Sequence, residues 1–537
     1  MTPFSQLDYF ILISYAIVII GLGYWVSRRQ KGNQKNTNDY FLAGRSLVWW
    51  AIGTSCIAAN ISAEQLIGMT GSGFVMGLAM ASYEFASAVI LIFVGKYFLP
   101  IFIKKGIFTM PQFLELRFDK RVRSVLAVFW LLLYIFVNLT SILYMGALAM
   151  NVILGFPLIY GILILAFVAV AYSLYGGLSA VAWTDIIQVV LLVAGGVFTT
   201  WIALDLVSEG EGVVAGAKHL YEVAPEKFHM VFDKSSPFYN EIPGMFGTIF
   251  GILIVANTFY WGFNQYTIQR ALAAKTIQHA QHGVMLAGYL KLVMPMLVVL
   301  PGMAAYVILS DPDILSGIPN TGLYDVPTAD QADKTYPWLL GLLPNGIKGL
   351  AFAALCAAIV SSLASMINSI STIFTIDIYE QYIRKNASQR HLVNVGRVAA
   401  LLSLSIACIV APALSTVEQA FQYIQEFTGF VSPGIVAIFV LGLFWKRMTT
   451  KAALWIAALT LPITLGFYFG APEIPFLNRM SYVLFICLLV GVVVSCIDKR
   501  ESKGIEIEPG MFKTTWKFNI AALGIIISLV IFYSIFW

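Results

Sequence analysis

Five ionisable residues stand inside long apolar stretches of this sequence: Glu64, Glu84, Asp185, Glu426 and Lys291. In lipid, each would cost roughly 2.5–3.5 kcal/mol at the bilayer centre, so such residues pair, reach an interface or line a polar path. Mutual pairing or snorkelling would account for Glu64, Asp185 and Glu426. Glu84 (in MASYEFASA) and Lys291 (in GYLKLVMPM) lie deeper within their runs. They are expected to line one water-filled cavity, where a carboxylate accepts and an ammonium donates. That is the chemistry of holding a polar solute.

Three polar clusters lie in similar surroundings. The stretch from Ala58 to Gln65 (AANISAEQ) and that from Ala256 to Gln265 (ANTFYWGFNQ) each separate two apolar halves. Both read as helices that unwind midway. Unwinding frees backbone carbonyls, which can coordinate a small cation near the midplane; helix–helix hydrogen bonding is the plainer alternative. The run SSLASMINS, from Ser361 to Ser369, suits close helix packing, or its hydroxyls could complete an oxygen cage with the first break. Ser432-Pro433-Gly434 removes a helical hydrogen bond and predicts a kink, which beside a cavity would act as a hinge.

The elements that must carry these residues follow from composition. Of 537 residues 59% are hydrophobic and 11% charged, against about 25% charged in soluble domains. Mean hydropathy is +0.82. The solvent for most of the chain is therefore lipid. A net charge of +5 is too small and dispersed for nucleic acid. The cysteines Cys56, Cys356, Cys408, Cys487 and Cys496 form no C-x-x-C pair and read as small packing residues. No removable signal peptide is expected at the N-terminus.

A crossing needs about 20 apolar residues. Apolar runs between polar breaks give about fourteen. They are 9–26, 47–73, 78–98, 125–154, 158–174, 183–204, 242–263, 284–309, 347–376, 395–411, 420–444, 452–469, 482–497 and 518–536. The charges test that reading. With both termini outside, the outer loops hold only Lys218, Lys227, Lys234, Lys334, Lys348 and Arg479 of the 33 lysines and arginines. Lys291 is intramembrane. All others fall in cytoplasmic loops, among them Lys31, Lys35, Arg117, Arg123, Arg270, Lys499, Arg500 and Lys503, as the positive-inside rule requires. The two long acidic external loops, 205–241 and 310–347, are expected to form caps or short surface helices.

Several dense stretches resemble the sodium/solute symporter family, and within it the bacterial sodium/galactose symporters. They are AANISAEQLIGMTGSG, YGGLSAVAWTDIIQV, YWGFNQYTIQRALAAK, AAIVSSLASMINSISTIFTIDIY and FQYIQEFTGFVSPG. The resemblance covers nearly the whole chain, the external loops least. It implies an all-α LeuT-type fold with two inverted five-helix repeats, 47–206 and 242–447. One helix (9–26) precedes them and three (452–537) follow.

The resemblance also implies roles, position by position. The sugar site would be Gln65, Glu84, Ser87, Asn257, Lys291 and Gln425. Tyr260 would stack on the ring as the inner gate, with Met69, Tyr83 and Phe421 as the outer gate. The sodium site would be the carbonyls of Ala58, Ile61 and Ala358 with the hydroxyls of Ser361 and Ser362; Asp185 would lie nearby, on the inward exit path. The expected activity is sodium-coupled hexose uptake, of galactose or glucose, with no catalysis. The expected place is a bacterial inner membrane, as a monomer or homodimer.

Other readings remain. A different solute could use the same fold, although Glu84 opposes a carboxylate cargo. Asp185 could carry a proton, although Ser361 and Ser362 favour a metal ion. A membrane-embedded glycosyl transferase would need a surface carboxylate cluster and usually a soluble domain. A sensor would usually append a signalling domain, and none follows Trp537 in this sequence.

Overall fold

The computed structural model describes residues 4–29, 41–318, 326–416, 420–498, 502 and 504–537. Lys31, Lys35, Lys499, Arg500 and Lys503 of the charge pattern, and 319–325 of the second external loop, lie outside them. Among the described residues the fold is helical and no strand forms; Leu47 and Ala274 make one isolated bridge.

In chain order, α1 is Gln6–Arg29 and α2 is Trp49–Asn60. Next, α3 runs through Glu64–Met69 and Thr70–Met76. Helix α4 starts as Ala81–Phe93 and continues to Lys104; α5 is Met110–Arg117. The middle of the chain forms α6 (Lys120–Leu154) and α7 (Leu158–Val207). After the first external loop come α8 (Gly244–Phe263) and α9 (Gln265–Leu272). Then follow α10 (Ile277–Ser310), α11 (Ile347–Ile383) and α12 (Gln389–Ser415). The last five are α13 (Ala420–Gly429), α14 (Ser432–Phe444), α15 (Thr450–Gly470), α16 (Phe476–Ile497) and α17 (Trp516–Ile535).

Both expected unwound points are breaks. Ile61 leaves helical geometry at φ −75°, ψ 96°. There the Ser62 N–H donates to Gln65 Oε1 (3.2 Å) and the Glu64 N–H to Ser62 Oγ (3.1 Å). These side chains replace the ladder, as Ser and its like do at helix ends. At the second break Asn264 is extended, and its side chain caps α9 by accepting from the Tyr266 N–H. The expected kink is also real: residues Phe421–Gly429 and Ser432–Phe444 meet at 50°. A third turn, between α3 and α4, is made by Gly77 at φ +78°, where a side chain would be strained.

By length and apolarity the described residues hold ten helices able to cross a membrane, or eleven if the bent pair is one span. The difference from fourteen lies at particular places. Gln6–Leu22 and Leu158–Ala171 are apolar but short. Glu64–Lys104 passes as one stretch of 41 residues although Gly77 turns the chain inside it. The runs expected at 158–174 and 183–204 fall within the single helical stretch α7.

The core centres on α11, whose first 27 residues, Ile347–Ile373, are buried almost throughout. Its N-terminus is capped from α1, where Asp8 Oδ1 accepts from the Gly346 and Gly349 N–H groups (2.7 and 2.8 Å). Three arginines of the expected cytoplasmic loops are buried. The Arg117 guanidinium donates to the carbonyls of Gly442, in the last turn of α14, and Met448, beyond its end (2.7 and 3.0 Å). Arg123 pairs with Asp377 at 2.7 Å, and Arg270 is fully enclosed. Each satisfies carbonyls or carboxylates that the interior cannot leave unpaired.

Candidate functional site

The two broken helices and the kinked one meet around a buried cavity. Gln65 (α3), Glu84 and Ser87 (α4), Asn257 (α8), Lys291 (α10) and Gln425 (α13) all line it. These are the six residues expected at a sugar site. Tyr83, Tyr260 and Phe421 line it too; Met69 is buried in α3 and does not reach it.

Lys291 Nζ lies 2.6 Å from Glu84 Oε2, with side-chain exposures of 1% and 3%, and 5.5 Å over the Trp261 ring. Each charge neutralises the other, which makes both tolerable in a low-dielectric interior. Beside them Ser87 Oγ donates to Asn257 Oδ1 (2.6 Å), and the Asn257 amide donates to the Ile252 carbonyl (3.1 Å). Gln65 is held by the Ser62 hydroxyl and N–H. The polar wall is thus fixed before any solute arrives. Three groups of the cavity lining keep free valences: Asn60 Oδ1, Asn138 Oδ1 and the Tyr83 hydroxyl.

The cavity is about 50 Å³, measured as space open to the centres of water molecules, room for roughly three or four waters. Tyr83 and Phe421 meet edge to face across one side, ring centroids 5.5 Å apart. Gly68 lets them close: a Cβ there would lie 2.7 Å from Phe421 Cβ. On the other side the Tyr260 hydroxyl accepts from the Asn60 amide (2.9 Å) and hydrogen-bonds the Tyr266 hydroxyl.

Sequence reasoning did not assign the lining residues Asn60, Glu64, Asn138, Phe259, Asn264 and Thr428 to the site. Asn60, Glu64 and Asn264 sit in the two polar breaks, so a signal existed. Asn138 is a lone amide in an apolar run and carries none. Glu64 pairs with no cation among the described residues; Ser141 Oγ donates to its Oε1 at 2.8 Å.

Of the expected cation ligands, Ala58 lies in the last turn of α2 and Ile61 just beyond it, while Ala358, Ser361 and Ser362 lie on α11, where Ser362 reaches the end of α2. Ala58, Ile61, Ala358, Ser361 and Ser362 are all buried. Because the Ser62 N–H turns to Gln65, the Ala58 carbonyl is released from its helical bond and available to a cation. Ser361 Oγ donates to Asp185 Oδ1 (2.6 Å) and Ser362 Oγ to the Ala59 carbonyl (3.0 Å). With both protons directed away, the hydroxyl lone pairs remain for a hard cation. Neutral oxygens at an unwound helix are the usual sodium ligands of this architecture, so the donor set fits.

Asp185 is the hub behind that cluster. Its Oδ2 accepts from Ser55 Oγ (2.5 Å) and lies 3.7 Å from Arg270 Nη2. Arg270 also donates to the Ser55 carbonyl (3.0 Å), the Tyr266 carbonyl (2.5 Å) and the Ser365 hydroxyl. One enclosed guanidinium therefore ties α2, α9 and α11 together.

Comparison with known proteins gives the family and the fold. The Sodium:solute symporter family model matches residues 40–459. The chain is 54% identical over 536 residues to the sodium/glucose cotransporter of Vibrio parahaemolyticus, covering 99% of this chain and 98% of that one. It is 34% identical over 484 residues to sodium/glucose cotransporter 1 of Mus musculus, covering 86% and 70%. In structure it matches a Na+-coupled sialic acid symporter with TM-score 0.80, at 21% identity over 94% of this chain and 100% of that one. A nucleobase-cation-symport-1 family transporter matches with TM-score 0.54, at 12% identity over 87% and 97%. The fold is that of LeuT-type transporters. A helical multi-pass membrane protein with a polar cavity between broken helices, matched over most of its length by the family model, this chain belongs to the sodium:solute symporter family.

Proposed function

We propose that the protein imports a hexose, galactose or glucose, together with sodium by alternating access. The observation that carries this is the convergence of six polar side chains from five helices on one cavity. A hexose offers five hydroxyls, each donor and acceptor. Glu84 accepts, Lys291 donates, and the amides of Gln65, Asn257 and Gln425 do both. The relatives, sodium/glucose cotransporters, support the same cargo.

Sodium enters from outside and binds the carbonyls of Ala58, Ile61 and Ala358 with Ser361 and Ser362, joining the broken α2 to α11. That organises α3 and so the cavity. By linkage, sugar raises sodium affinity by the factor by which sodium raises sugar affinity. Tyr83, Phe421 and Met69 close outside; Tyr260 closes inside. In the present contracted conformation the cavity has room for a few water molecules but not for a pyranose, so the gates must part for loading. The bundle then rocks and both ligands leave to the cytoplasm, sodium by way of Asp185.

The repeats are 47–206 and 242–447, with 9–26 before and 452–537 after. The chain lies in a plasma membrane with both termini outside, as a monomer or homodimer. The driving force suffices: one charge falling through 100 mV gains about 2.3 kcal/mol, and a tenfold sodium gradient about 1.4 kcal/mol. Together they support accumulation on the order of 500-fold at one sodium per sugar.

The test is uptake of radiolabelled galactose into proteoliposomes under an inward sodium gradient against an equal potassium one. Uphill, sodium-only accumulation is expected. Sodium-driven uptake of another solute instead would overturn the cargo, and equal uptake with either cation would overturn the sodium site.

A further inference from the structure

The half-helix α13 faces the cavity with Phe421, Gln425 and Thr428, spaced i, i+4 and i+7 on one face. Glu426 points off that face. Its Oε1 accepts from Arg479 Nη2 of α16 at 2.5 Å, and the pair is partly solvated, with exposures of 29% and 12%. Arg479 also lies 5.3 Å over the Tyr468 ring of α15. Tyr468 in turn meets Phe430 edge-on at 5.4 Å. Phe430 stands at the elbow, where α13 turns by 50° into α14. The Phe430 carbonyl, freed there from its helical bond, faces the Thr464 hydroxyl of α15 at 3.4 Å. The elbow is thus propped by packing against α15, while Glu426, about one turn before it, is held to α16 by an ion pair.

The two kinds of contact differ in how readily they part. An ion pair that water reaches contributes little net stability, so it can open and reform in each cycle. The fully enclosed pairs Glu84–Lys291 and Arg123–Asp377 cannot open without stranding a buried charge.

We propose that Glu426–Arg479 is the releasable mooring of α13. With the pair made, Phe421 rests on Tyr83 and the external mouth is shut. With it broken, α13 swings about the Phe430 elbow and the mouth opens. Glu426 and Arg479 are positioning residues that act through Phe421 and Gln425, and they give the helices after residue 452 a part in gating. The inference rests on the transport function and orientation proposed above.

The experiment uses the full chain in proteoliposomes, with Cys408 and Cys496 replaced by serine and Ala256, which lines the cavity, replaced by cysteine. The rate of labelling by an impermeant maleimide added outside reports opening without reference to any cargo. Arg479→Gln and Glu426→Gln should each raise that rate by about fivefold, the factor carried by ~1 kcal/mol. Arg479→Lys keeps the charge and should label like the parent. Glu426→Arg combined with Arg479→Glu should return the rate toward the parent's. Unchanged labelling in both glutamine variants overturns the mooring, as does a raised rate that the charge exchange fails to restore. If labelling behaves as expected while the parent transports no hexose, the cargo falls and the mooring stands.

Discussion

Ser362 and Tyr266 donate to the same oxygen, the Ala59 carbonyl, at 3.0 and 2.9 Å. Ser362 belongs to the proposed sodium cage, and Tyr266 hydrogen-bonds Tyr260, which lines the proposed sugar cavity. Ala59 is the link between two sites on different faces of the broken helix. A cation that draws Ser362 toward itself changes what Ala59 offers Tyr266, and hence the seat of Tyr260.

Ser362→Ala removes a cage ligand and one of the two donors to Ala59. The half-saturating sodium concentration should rise by about tenfold, equivalent to ~1.4 kcal/mol, with a smaller effect on sugar recognition at saturating sodium. Sodium titration of uptake checks this, and an unaltered sodium dependence counts against the cage.

Two substitutions at Tyr260 separate its ring from its hydroxyl. Tyr260→Ala should raise the half-saturating sugar concentration by removing the stacking face. Tyr260→Phe keeps the face but loses the bonds to Asn60 and Tyr266. It should spare sugar affinity and loosen coupling, seen as sodium entry without sugar. Equal behaviour of both variants would refute the division of roles.

Lys291→Ala should abolish sugar uptake. It also strands Glu84 in the interior, a loss of ~3–5 kcal/mol for a buried pair broken on one side. The double variant Lys291→Met with Glu84→Gln removes both charges, and it should fold better yet still fail to bind sugar. Ligand-dependent thermal shift reads both effects; intact uptake in either removes the pair from the site.

Asp185→Asn keeps the shape of the hub but places an amide against a hydroxyl donor. Either Ser55 or Ser361 must then turn its proton elsewhere. Half-saturating sodium should rise by about tenfold or more, on the scale of one lost charged hydrogen bond, while sugar recognition at saturating sodium changes less. A sodium affinity like the parent's would take Asp185 out of the cage's support.

Gly77→Ala should lower the thermal midpoint of the purified protein. The residue has φ +78°, and a Cβ would lie 2.2 Å from the Lys227 carbonyl. Lys227 donates to the carbonyls of Phe74 and Val75 at the end of α3 (3.2 and 2.6 Å). A displaced loop would therefore uncap that helix as well. An unchanged midpoint would show that the loop yields freely.

Much was legible in the chain itself. Apolar run length fixed the class of protein, because lipid accepts only segments that satisfy their own backbone. Ser62, Gln65, Asn264 and Pro433 announced both breaks and the kink, because those side chains, or the missing N–H, act on the backbone within a few residues of themselves. Glu84 and Lys291 declared a shared cavity through the cost of leaving either alone in lipid. The resemblance supplied the remaining members of the proposed site.

Partners distant in sequence were decided only by the tertiary structure. Arg270 looks like a loop cation, since nothing near it in the chain says that Asp185, Ser55 and Ser365 will surround it. Asn138 and Thr428 reach the cavity only because α6 and α13 pack where they do. Arg479 reads as one more external charge until α16 brings it to Glu426. Local pattern reports the backbone's needs and the cost of burial; which charge answers which depends on contacts that only the packed helices create.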